Sequence, residues 1–345
     1  MTKRFFVVLT CTVWIIGLAL GFHAAPAFAQ KTIELNFTHM DPAGSKNDRV
    51  FHKWADMMAE KSKGQLKIRI FPGAVLVGAF DTYESVAKGV ADIGSSFRYS
   101  RKGAELTGMI SMYFAGIPDA AIGTRILDEI REKFPAYNKE WQDTKELFDI
   151  AIGPAVLITK GKAIHTLADI KDLQMRVPVR EAAEMLKAMG GVPVGMPMGE
   201  LLIGMKKGTV DGASVQLYAL ESFKLAPTAK YCTLFSLYNP SNFFMVMNWD
   251  SYNKLPKDLQ KIIDDSRPWL KQQMVEALDE SDQKGMAWAK KQGMAFYSLP
   301  PEERAKWIAV IAPEQDKMAA DLDSKGYPGT AVLKFVRERI KEYVK

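Results

Sequence analysis

The sequence predicts an α/β protein built from two related lobes, each with a mostly parallel sheet. In both halves of the chain, segments whose apolar residues alternate as in strands follow segments with helical periodicity. A Lys-Gly-x-x-Asp sequence ends a helical segment in each half, at residues 88–92 and 207–211. No low-complexity linker separates the halves, so we expect the chain to cross between the lobes several times and to form a hinge.

Residues 1–29 are predicted to be a secretory signal peptide. A basic pair precedes an apolar run over residues 5–22, and a small-x-small sequence predicts cleavage after Ala29. The alternative is a retained membrane anchor, because the run approaches the ~20 residues that span a bilayer. After cleavage only Cys232 remains, so we expect no internal disulfide and a fold held by core burial.

The elements of the first half follow the order strand, helix, strand, helix, strand. Residues 32–37 and 66–70 alternate apolar and polar side chains, and residues 49–61 place an apolar stripe on one helical face. Residues 81–88 are predicted to form the second helix and residues 91–95 a short strand. This alternation is typical of a layered α/β sheet and not of a sandwich or a helical bundle.

The second half repeats this plan, and the chain then becomes mainly helical. The predicted strands are 155–159, 173–177 and 192–194, and the predicted helices are 181–189 and 200–207. Beyond them we expect helices over 256–291, interrupted at Pro268, over 301–325 and over 331–344. The repeated Lys-Gly-x-x-Asp supports two related lobes, although a chance recurrence of an ordinary helix end explains it equally well.

The charge of the chain suits a small anionic ligand. It has 46 Lys and Arg residues against 40 Asp and Glu residues, a net charge of +6. Acidic residues are interspersed among the basic ones, whereas a nucleic-acid binder would concentrate its basic residues beside stacking aromatic ones. No run after the signal peptide is long and apolar enough to span a membrane, so the mature chain is expected to be soluble.

Arg176 is the first candidate for contact with such a ligand. Met175 and Val177 face one side of a predicted strand, whereas Gln174 and Arg176 face the other, and the strand must end near Pro178. Ligands of α/β sheets bind beyond the carboxyl ends of the strands, where a guanidinium can donate two hydrogen bonds to a carboxylate. The alternative is a surface arginine whose aliphatic stem covers apolar neighbours.

Five further residues lie in loops expected to face the same crevice. They are, in falling order of preference, His39, Phe97, Arg98, Tyr218 and Asn242. Each has a structural alternative, because His39 could stabilise the turn that follows it and Arg98 could belong to a solvated face. Met198 and its neighbouring methionines are explained by core or hinge packing at least as well as by contact with a ligand.

The sequence lacks the usual signatures of catalysis and cofactor binding. It has no H-E-x-x-H, G-x-S-x-G, G-x-G-x-x-G or paired C-x-x-C. Residues 73–78 have the glycine spacing of a phosphate loop, but Ala79-Phe80 stands where Lys-Ser/Thr is required. The histidines are scattered, so we expect no metal and no cofactor, with a carboxylate-only calcium site as the alternative.

The segment 166–212 resembles the substrate-binding subunits of TRAP transporters, the tripartite ATP-independent periplasmic carriers. The resemblance rests on Asp172-Leu173 followed by Arg176-Val177-Pro178, on Gly-Gly-Val-Pro-Val-x-Met-Pro over 190–197, and on Gly-Thr-Val-Asp-Gly over 208–212. Shorter matches extend it over nearly the whole mature chain, and their combined order is more specific than any single one.

This resemblance implies a two-lobed periplasmic binding protein that closes on an organic acid. It implies that Arg176 binds the ligand carboxylate, that the helix after Pro256 crosses both lobes, and that a separate TRAP membrane permease receives the ligand. The chain is then expected to be a periplasmic monomer that does not insert into the membrane. The lobes are assigned as residues 30–152 with 242–280, and 153–241 with 281–345.

Two departures from the sialic-acid branch of that family bear on the ligand. That branch has a second arginine where this chain has Ala155, and an asparagine roughly where Val215 stands. With Met198 and Phe97, these residues would make a more apolar pocket, which favours a carboxylate with an aliphatic or aromatic body. The alternatives are a periplasmic enzyme that acts on such an acid and a receptor that presents its ligand to a sensor.

Overall fold

The structure, a computed structural model, describes residues 32–239 and 242–344. The predicted signal peptide, with its cleavage site after Ala29, lies outside the described residues. Two sheets with helices on both faces organise the described chain, which confirms the predicted α/β class. The elements predicted from the sequence are found within about three residues of their expected bounds.

The strands of the described residues are β1 (Ile33–His39), β2 (Leu66–Phe71), β3 (Ile93–Phe97), β4 (Thr144–Ala151), β5 (Ala155–Thr159), β6 (Gln174–Val177), β7 (Val192–Gly195), β8 (Gly212–Gln216), β9 (Tyr231–Thr233), β10 (Asn242–Asn248) and β11 (Ala295–Tyr297). The helices are α1 (Lys46–Lys61), α2 (Thr82–Ala87), α3 (Glu105–Tyr113), α4 (Ala120–Lys133), α5 (Pro135–Lys139), α6 (Leu167–Ile170), α7 (Arg180–Ala188), α8 (Leu201–Lys207), α9 (Ala219–Ser222), α10 (Trp249–Asn253), α11 (Lys257–Lys291), α12 (Pro301–Ser324) and α13 (Gly329–Tyr343).

Each sheet runs in one direction except for a single strand. The first sheet has the order β2-β1-β3-β10-β4, with β10 antiparallel to both its neighbours. The second has the order β11-β9-β5-β8-β6-β7, with β5 as the reversed strand. Both reversed strands, β5 and β10, are entered through a loop that arrives from the other sheet. The mostly parallel character predicted for both sheets is therefore confirmed.

The chain passes between the sheets at two loops and along one helix. Residues 152–154 join β4 to β5, and the connection after β9 returns to β10. We call each sheet, together with the helices packed on it, a layer. Helix α11 packs against α1, α4 and β4 of the first layer and against α9 of the second layer. This confirms the predicted long helix that crosses both lobes.

The predicted interruption at Pro268 is wrong, because α11 continues through this residue. Pro268 is exposed, whereas Ile263, Leu270 and Met274 on the same helix are buried in the core shared with α1. A proline removes one backbone donor, and burial of the apolar stripe on both sides of it keeps the helix continuous.

Two apolar cores cover the faces of the first sheet. Alternation along β10 sends Phe243 and Met245 into the core with α1 and α11, and Phe244 into the core with α2, α3, α4 and α13. Helix α13 packs against α3, α4 and α12. The lobe boundaries assigned from the sequence stay a prediction.

The carboxyl-terminal edges of the two sheets meet at the loop that connects β4 to β5. The carboxyl ends of β1 to β4 share an edge with the start of β10, where Asn242 pairs with Ala151. The ends of β6 and β8 share an edge with the start of β5, where Ala155 pairs with Gln216. Because residues 152–154 join these edges directly, the edges approach to within about 14 Å there. A crevice between such edges is where α/β proteins bind their ligands.

Within the part of the chain that the structure describes, no helix has both the length and the apolar character needed to span a lipid bilayer.

Candidate functional site

Arg176 lies near the carboxyl end of β6, beside Val194 of β7 and Ala213 of β8. Its strand neighbours Met175 and Val177 are buried in the core against α7 and α12. Arg176 therefore lies on the opposite face of the sheet, and its side chain is only 7% exposed.

Backbone carbonyls fix the orientation of the Arg176 guanidinium. Its Nε donates a hydrogen bond to the Met196 carbonyl at 2.9 Å, and one Nη donates to the Ser214 carbonyl at 3.4 Å. Burial lowers the pKa of Arg176 from its ordinary value, and nearby Tyr238 and Tyr218 act in the opposite direction. A guanidinium has five N–H donors, so these two bonds leave donors for a ligand.

No acidic side chain balances the charge of Arg176. Within residues 32–239 and 242–344, no Asp or Glu oxygen lies within 4.0 Å of its guanidinium nitrogens. By contrast, Arg101 contacts Glu84 at 3.1 Å and Asp143 at 3.2 Å. A buried charge is costly unless it is paired, so an uncompensated buried guanidinium in a crevice is suited to bind an anion.

Tyr218 and Met198 are brought to the same edge as Arg176. Tyr218 begins α9 just after β8, is partly exposed and contributes to the electrostatic environment of Arg176. Met198 is partly exposed and lies two residues after Met196, whose carbonyl accepts from Arg176. Val215 is 1% exposed and packs in the core with α8 and α9, so its side chain does not line the crevice in this conformation.

His39 lies at the end of β1 but is enclosed by its own lobe. Its side chain is 1% exposed, its ring packs against Phe37 and Phe51, and its Nε2 is 3.1 Å from Asp48 Oδ1. Burial lowers the pKa of His39, and the Asp48 carboxylate opposes this shift. Asp48 also accepts from the Gly44 N–H at 2.7 Å, so the His39–Asp48 pair ties β1 to the turn that begins α1. These contacts favour the turn-stabilising alternative for His39.

Phe97 and Arg98 lie at the end of β3, on the edge opposite Arg176. The Phe97 ring is partly buried against Phe243, with ring centroids 5.2 Å apart. Arg98 packs over Gly108 of α3, where a Cβ would lie 2.9 Å from its Nη1. Burial lowers the pKa of Arg98, and the charge of Glu181, on α7 of the other layer, acts against this shift. Glu140 and Glu105 of the first layer act in the same direction, so charges of both layers affect Arg98.

Asn242, at the start of β10, belongs to a buried polar network of the first layer. Its Nδ2 donates to the Tyr137 hydroxyl at 2.7 Å, and that hydroxyl bonds to Asp149. Burial raises the pKa of Asp149, and Arg131, 3.8 Å away, opposes the shift. Asn242 is 1% exposed, so the network accounts for its position without a ligand.

Sequence reasoning missed the groups that orient Arg176 and Tyr218. The Met196 and Ser214 carbonyls have no signature, because any residue type supplies them. Tyr238 follows β9 and comes near Arg176 only through the crossing connection. Asp282 accepts a hydrogen bond from the Tyr218 N–H at 2.8 Å across 64 residues. The one sequence signal for Asp282 is its place as an acidic residue among the buried positions of a long helix.

In the ranges 32–239 and 242–344, no three His, Cys, Asp or Glu side chains come together in a group that could hold a metal ion.

Comparison with known proteins gives a family match over most of the chain. The profile of the bacterial extracellular solute-binding proteins, family 7, matches residues 37–322. Among curated proteins, the 2,3-diketo-L-gulonate-binding periplasmic protein of Escherichia coli (strain K12) is 25% identical over 260 residues, which cover 74% of this chain and 76% of that protein.

Solved structures of the same kind have the same fold. The TRAP periplasmic solute-binding protein of Desulfovibrio salexigens DSM2638, an open complex, is 26% identical with a TM-score of 0.80, over 91% of this chain and 97% of that one. The TRAP solute-binding protein of Rhodoferax ferrireducens T118, in complex with copurified benzoate, is 27% identical with a TM-score of 0.75, over 90% of this chain and 98% of that one.

Proposed function

Because this chain belongs to family 7 of the bacterial extracellular solute-binding proteins, the periplasmic receptors of TRAP transporters, we propose that it captures an organic acid by closing its lobes around Arg176. Members of this family bind small organic acids and work with TRAP permeases in transport, and they are not enzymes. Beyond this family role, we propose a carboxylate with an apolar body as the ligand, Arg176 as the residue that binds it and closure of the lobes as the motion.

The single observation behind the proposal is the buried, uncompensated guanidinium of Arg176. It lies at the edge that faces the other sheet, and the Met196 carbonyl holds it in one orientation. A planar guanidinium held in this way offers two parallel donors to a carboxylate.

The rest of the ligand is proposed to be apolar, with an aromatic ring as the first choice. Met198 provides no charge at the edge around Arg176, and Phe97 lies at the end of β3 in the first layer. Ala155 is fully buried in the core that holds Met175 and Val177, so its side chain does not line this edge. One charge-assisted hydrogen bond contributes only ~1.5–3 kcal/mol, whereas micromolar affinity needs about 8 kcal/mol. Apolar burial on closure must therefore supply most of the affinity, and the copurified benzoate of the Rhodoferax ferrireducens relative is a ligand of this kind.

The receiving partner is proposed to be a TRAP membrane permease, reached in the periplasm after export. The family assignment supports this partner. The signal peptide predicted at residues 1–29 and the monomeric state stay predictions.

The test is titration calorimetry of the mature protein with benzoate, and with phenylacetate and succinate for comparison. We expect saturable binding of a monocarboxylate by the wild-type protein, and a loss of at least about 100-fold in affinity in Arg176→Ala. The matched control is Arg180→Ala, an exposed arginine four residues further along, which should bind as the wild type does.

Equal affinity of the wild-type and Arg176→Ala proteins would overturn the assignment of Arg176. Binding of none of the three acids by the wild-type protein would overturn the proposed ligand class. Mass spectrometry of the recovered ligand adds a check, because a receptor returns it unchanged.

A further inference from the structure

Asp282 lies where α11 meets two other segments. These are residues 152–154, which connect β4 of the first sheet to β5 of the second, and the end of β8. Its side chain is 8% exposed, and its Oδ1 accepts the Tyr218 N–H at 2.8 Å. Tyr218 in turn is one of the two tyrosines that affect the pKa of Arg176. One hydrogen bond therefore connects the long helix to a residue beside the proposed ligand-binding arginine.

Two glycines let the backbone approach Asp282 closely. A Cβ at Gly153, in the crossing from β4 to β5, would lie 1.9 Å from Asp282 Oδ2. A Cβ at Gly285, one turn after Asp282, would lie 2.2 Å from the Leu217 carbonyl oxygen. Since neither position has room for a side chain, the crossing and the β8 end are both in direct contact with α11.

The charge of Asp282 has no counter-ion in this junction. Across residues 32–239 and 242–344, no Lys, Arg or His nitrogen lies within 4.0 Å of its oxygens. The neighbouring charged residues of α11 are Asp279, one turn earlier, Glu280 and Lys284. Glu280 pairs with Lys46 of α1, and Lys284 lies 3.5 Å from Glu221 of α9. Burial raises the pKa of Asp282 to about 7; the Tyr218 N–H acts against the shift and the Asp279 charge adds to it. An unpaired buried acid is costly to maintain, which points to a role beyond packing.

We propose that Asp282 is a positioning residue for ligand binding, which holds the Tyr218 backbone on the long helix and so fixes Tyr218 relative to Arg176. This inference rests on the proposed function of the Arg176 crevice. The residues around Asp282 come from the 152–154 connection, from α11 and from the end of β8 near Arg176. The position of Tyr218 is therefore tied to the geometry of the hinge.

The test compares two substitutions of Asp282, one that keeps an oxygen acceptor at Oδ1 and one that removes the group beyond Cβ. Asp282→Asn keeps an acceptor for the Tyr218 N–H, so its affinity for benzoate should stay within about threefold of wild type. Asp282→Ala removes the acceptor and should lower the affinity about tenfold or more. The Tyr218 amide should exchange its hydrogen faster than in wild type in Asp282→Ala, and at the wild-type rate in Asp282→Asn.

A second readout separates positioning from general stability. In the wild-type protein, the NMR shift of the Tyr218 amide proton should titrate with a midpoint near pH 7, and in Asp282→Asn it should not. Asp279→Asn is the control. It leaves the hydrogen bond intact, so affinity should be unchanged, while removal of a nearby negative charge should move the midpoint to lower pH.

Three outcomes would overturn the proposal. They are unchanged benzoate affinity in a folded Asp282→Ala protein, a loss in Asp282→Asn as large as that in Asp282→Ala, and a Tyr218 amide that does not titrate in the wild type. If Asp282→Ala does not fold, the Asp282→Asn and wild-type titrations still decide the question. Failure of the wild-type protein to bind any carboxylate would instead overturn the proposed function.

Discussion

Among single residues, Arg176 shows why the type of cation matters and not only its charge. The Met196 carbonyl accepts from Nε and the Ser214 carbonyl from one terminal N–H, so three terminal N–H groups remain for a ligand in a plane that the backbone fixes. Lysine has a compact point charge on a flexible stem and cannot keep the carbonyl bond while donating two parallel bonds to a carboxylate.

Arg176→Lys is therefore expected to keep the positive charge but to bind benzoate at least about tenfold more weakly than wild type. The measurement is titration calorimetry at low and moderate salt. Arg180→Lys, at an exposed position, is the control and should leave the affinity unchanged. A lysine variant that binds as tightly as wild type would show that charge alone is recognised.

Asp41 allows a prediction about stability and pH at the same scale. Burial raises the pKa of Asp41 to about 6, whereas Asn47 Nδ2, which donates to it at 2.9 Å, acts in the opposite direction. The folded state thus binds this proton more tightly than the unfolded state, in which the pKa is near its ordinary value of 3.8. The free energy of unfolding should therefore fall as pH rises from about 4 to about 6, and this contribution should level off above that range.

Asp41→Asn should remove this part of the decline, because the amide does not ionise and can still accept from Asn47. Urea unfolding at several pH values between 4 and 8 measures the effect, with the exposed Asp250→Asn as the control. An unchanged slope in Asp41→Asn would contradict the assignment of this proton to Asp41.

At the scale of elements, the proline inside α11 leads to a prediction about helix stability. Pro268 is exposed and lies within a continuous helix, where it removes one backbone donor and crowds the preceding turn. Pro268→Ala should raise the free energy of unfolding by about 1–2 kcal/mol, since helix propensity outweighs the greater freedom of the unfolded chain. Pro313→Ala in α12 is a matched case and should change stability in the same direction. Destabilisation by both would mean that these prolines set a bend that packing requires.

Periodicity in the sequence identified elements such as β6 and α1 and missed β10, whose two faces are both buried. Strand β6 shows clear alternation, and so does the apolar stripe of α1. Strand β10 reads Asn-Phe-Phe-Met-Val-Met-Asn and is buried along its whole length, so it has no polar face to reveal a period of two. Helix α1 begins three residues before the start that its apolar stripe predicts, because the Ser45 side chain caps it by accepting from the Asp48 N–H at 3.2 Å.

For the molecule as a whole, the sequence predicted the fold class and the place of Arg176 near the carboxyl end of a strand, but not the groups that surround this arginine. Arg176 was recognisable because a polar residue interrupts an apolar strand at its carboxyl end. The positions of Tyr238 and Asp282 depend on the chain crossing between sheets, which no local pattern records. His39 and Asn242 lie at the expected edge, but their side chains turn into buried networks of the first layer.

The connections between the layers include residues 152–154, the return to β10 and the helices α11 and α12, and they predict a motion that one experiment can follow. Cys232 is 1% exposed, so cysteines placed at exposed positions can be labelled with little background. Val75, in the loop after β2, is 74% exposed, and Ile203, on α8, is 56% exposed. Strand β2 is an edge strand of the first sheet and β7, just before α8, is an edge strand of the second, so a dye pair at these sites reports on the separation of the layers.

Benzoate should shorten the distance between dyes at Val75→Cys and Ile203→Cys, because ligand contacts in both layers favour the closed state over the open one. Single-molecule Förster resonance energy transfer measures this change in distance. The sample is the mature protein, which lacks Cys11. The same pair in an Arg176→Ala background should show no shift at the same benzoate concentration, since closure requires the carboxylate contact. An unchanged distance in a protein shown by calorimetry to be saturated with benzoate would mean that the ligand enters a preformed site, and that the connections hold the layers rigid instead of forming a hinge.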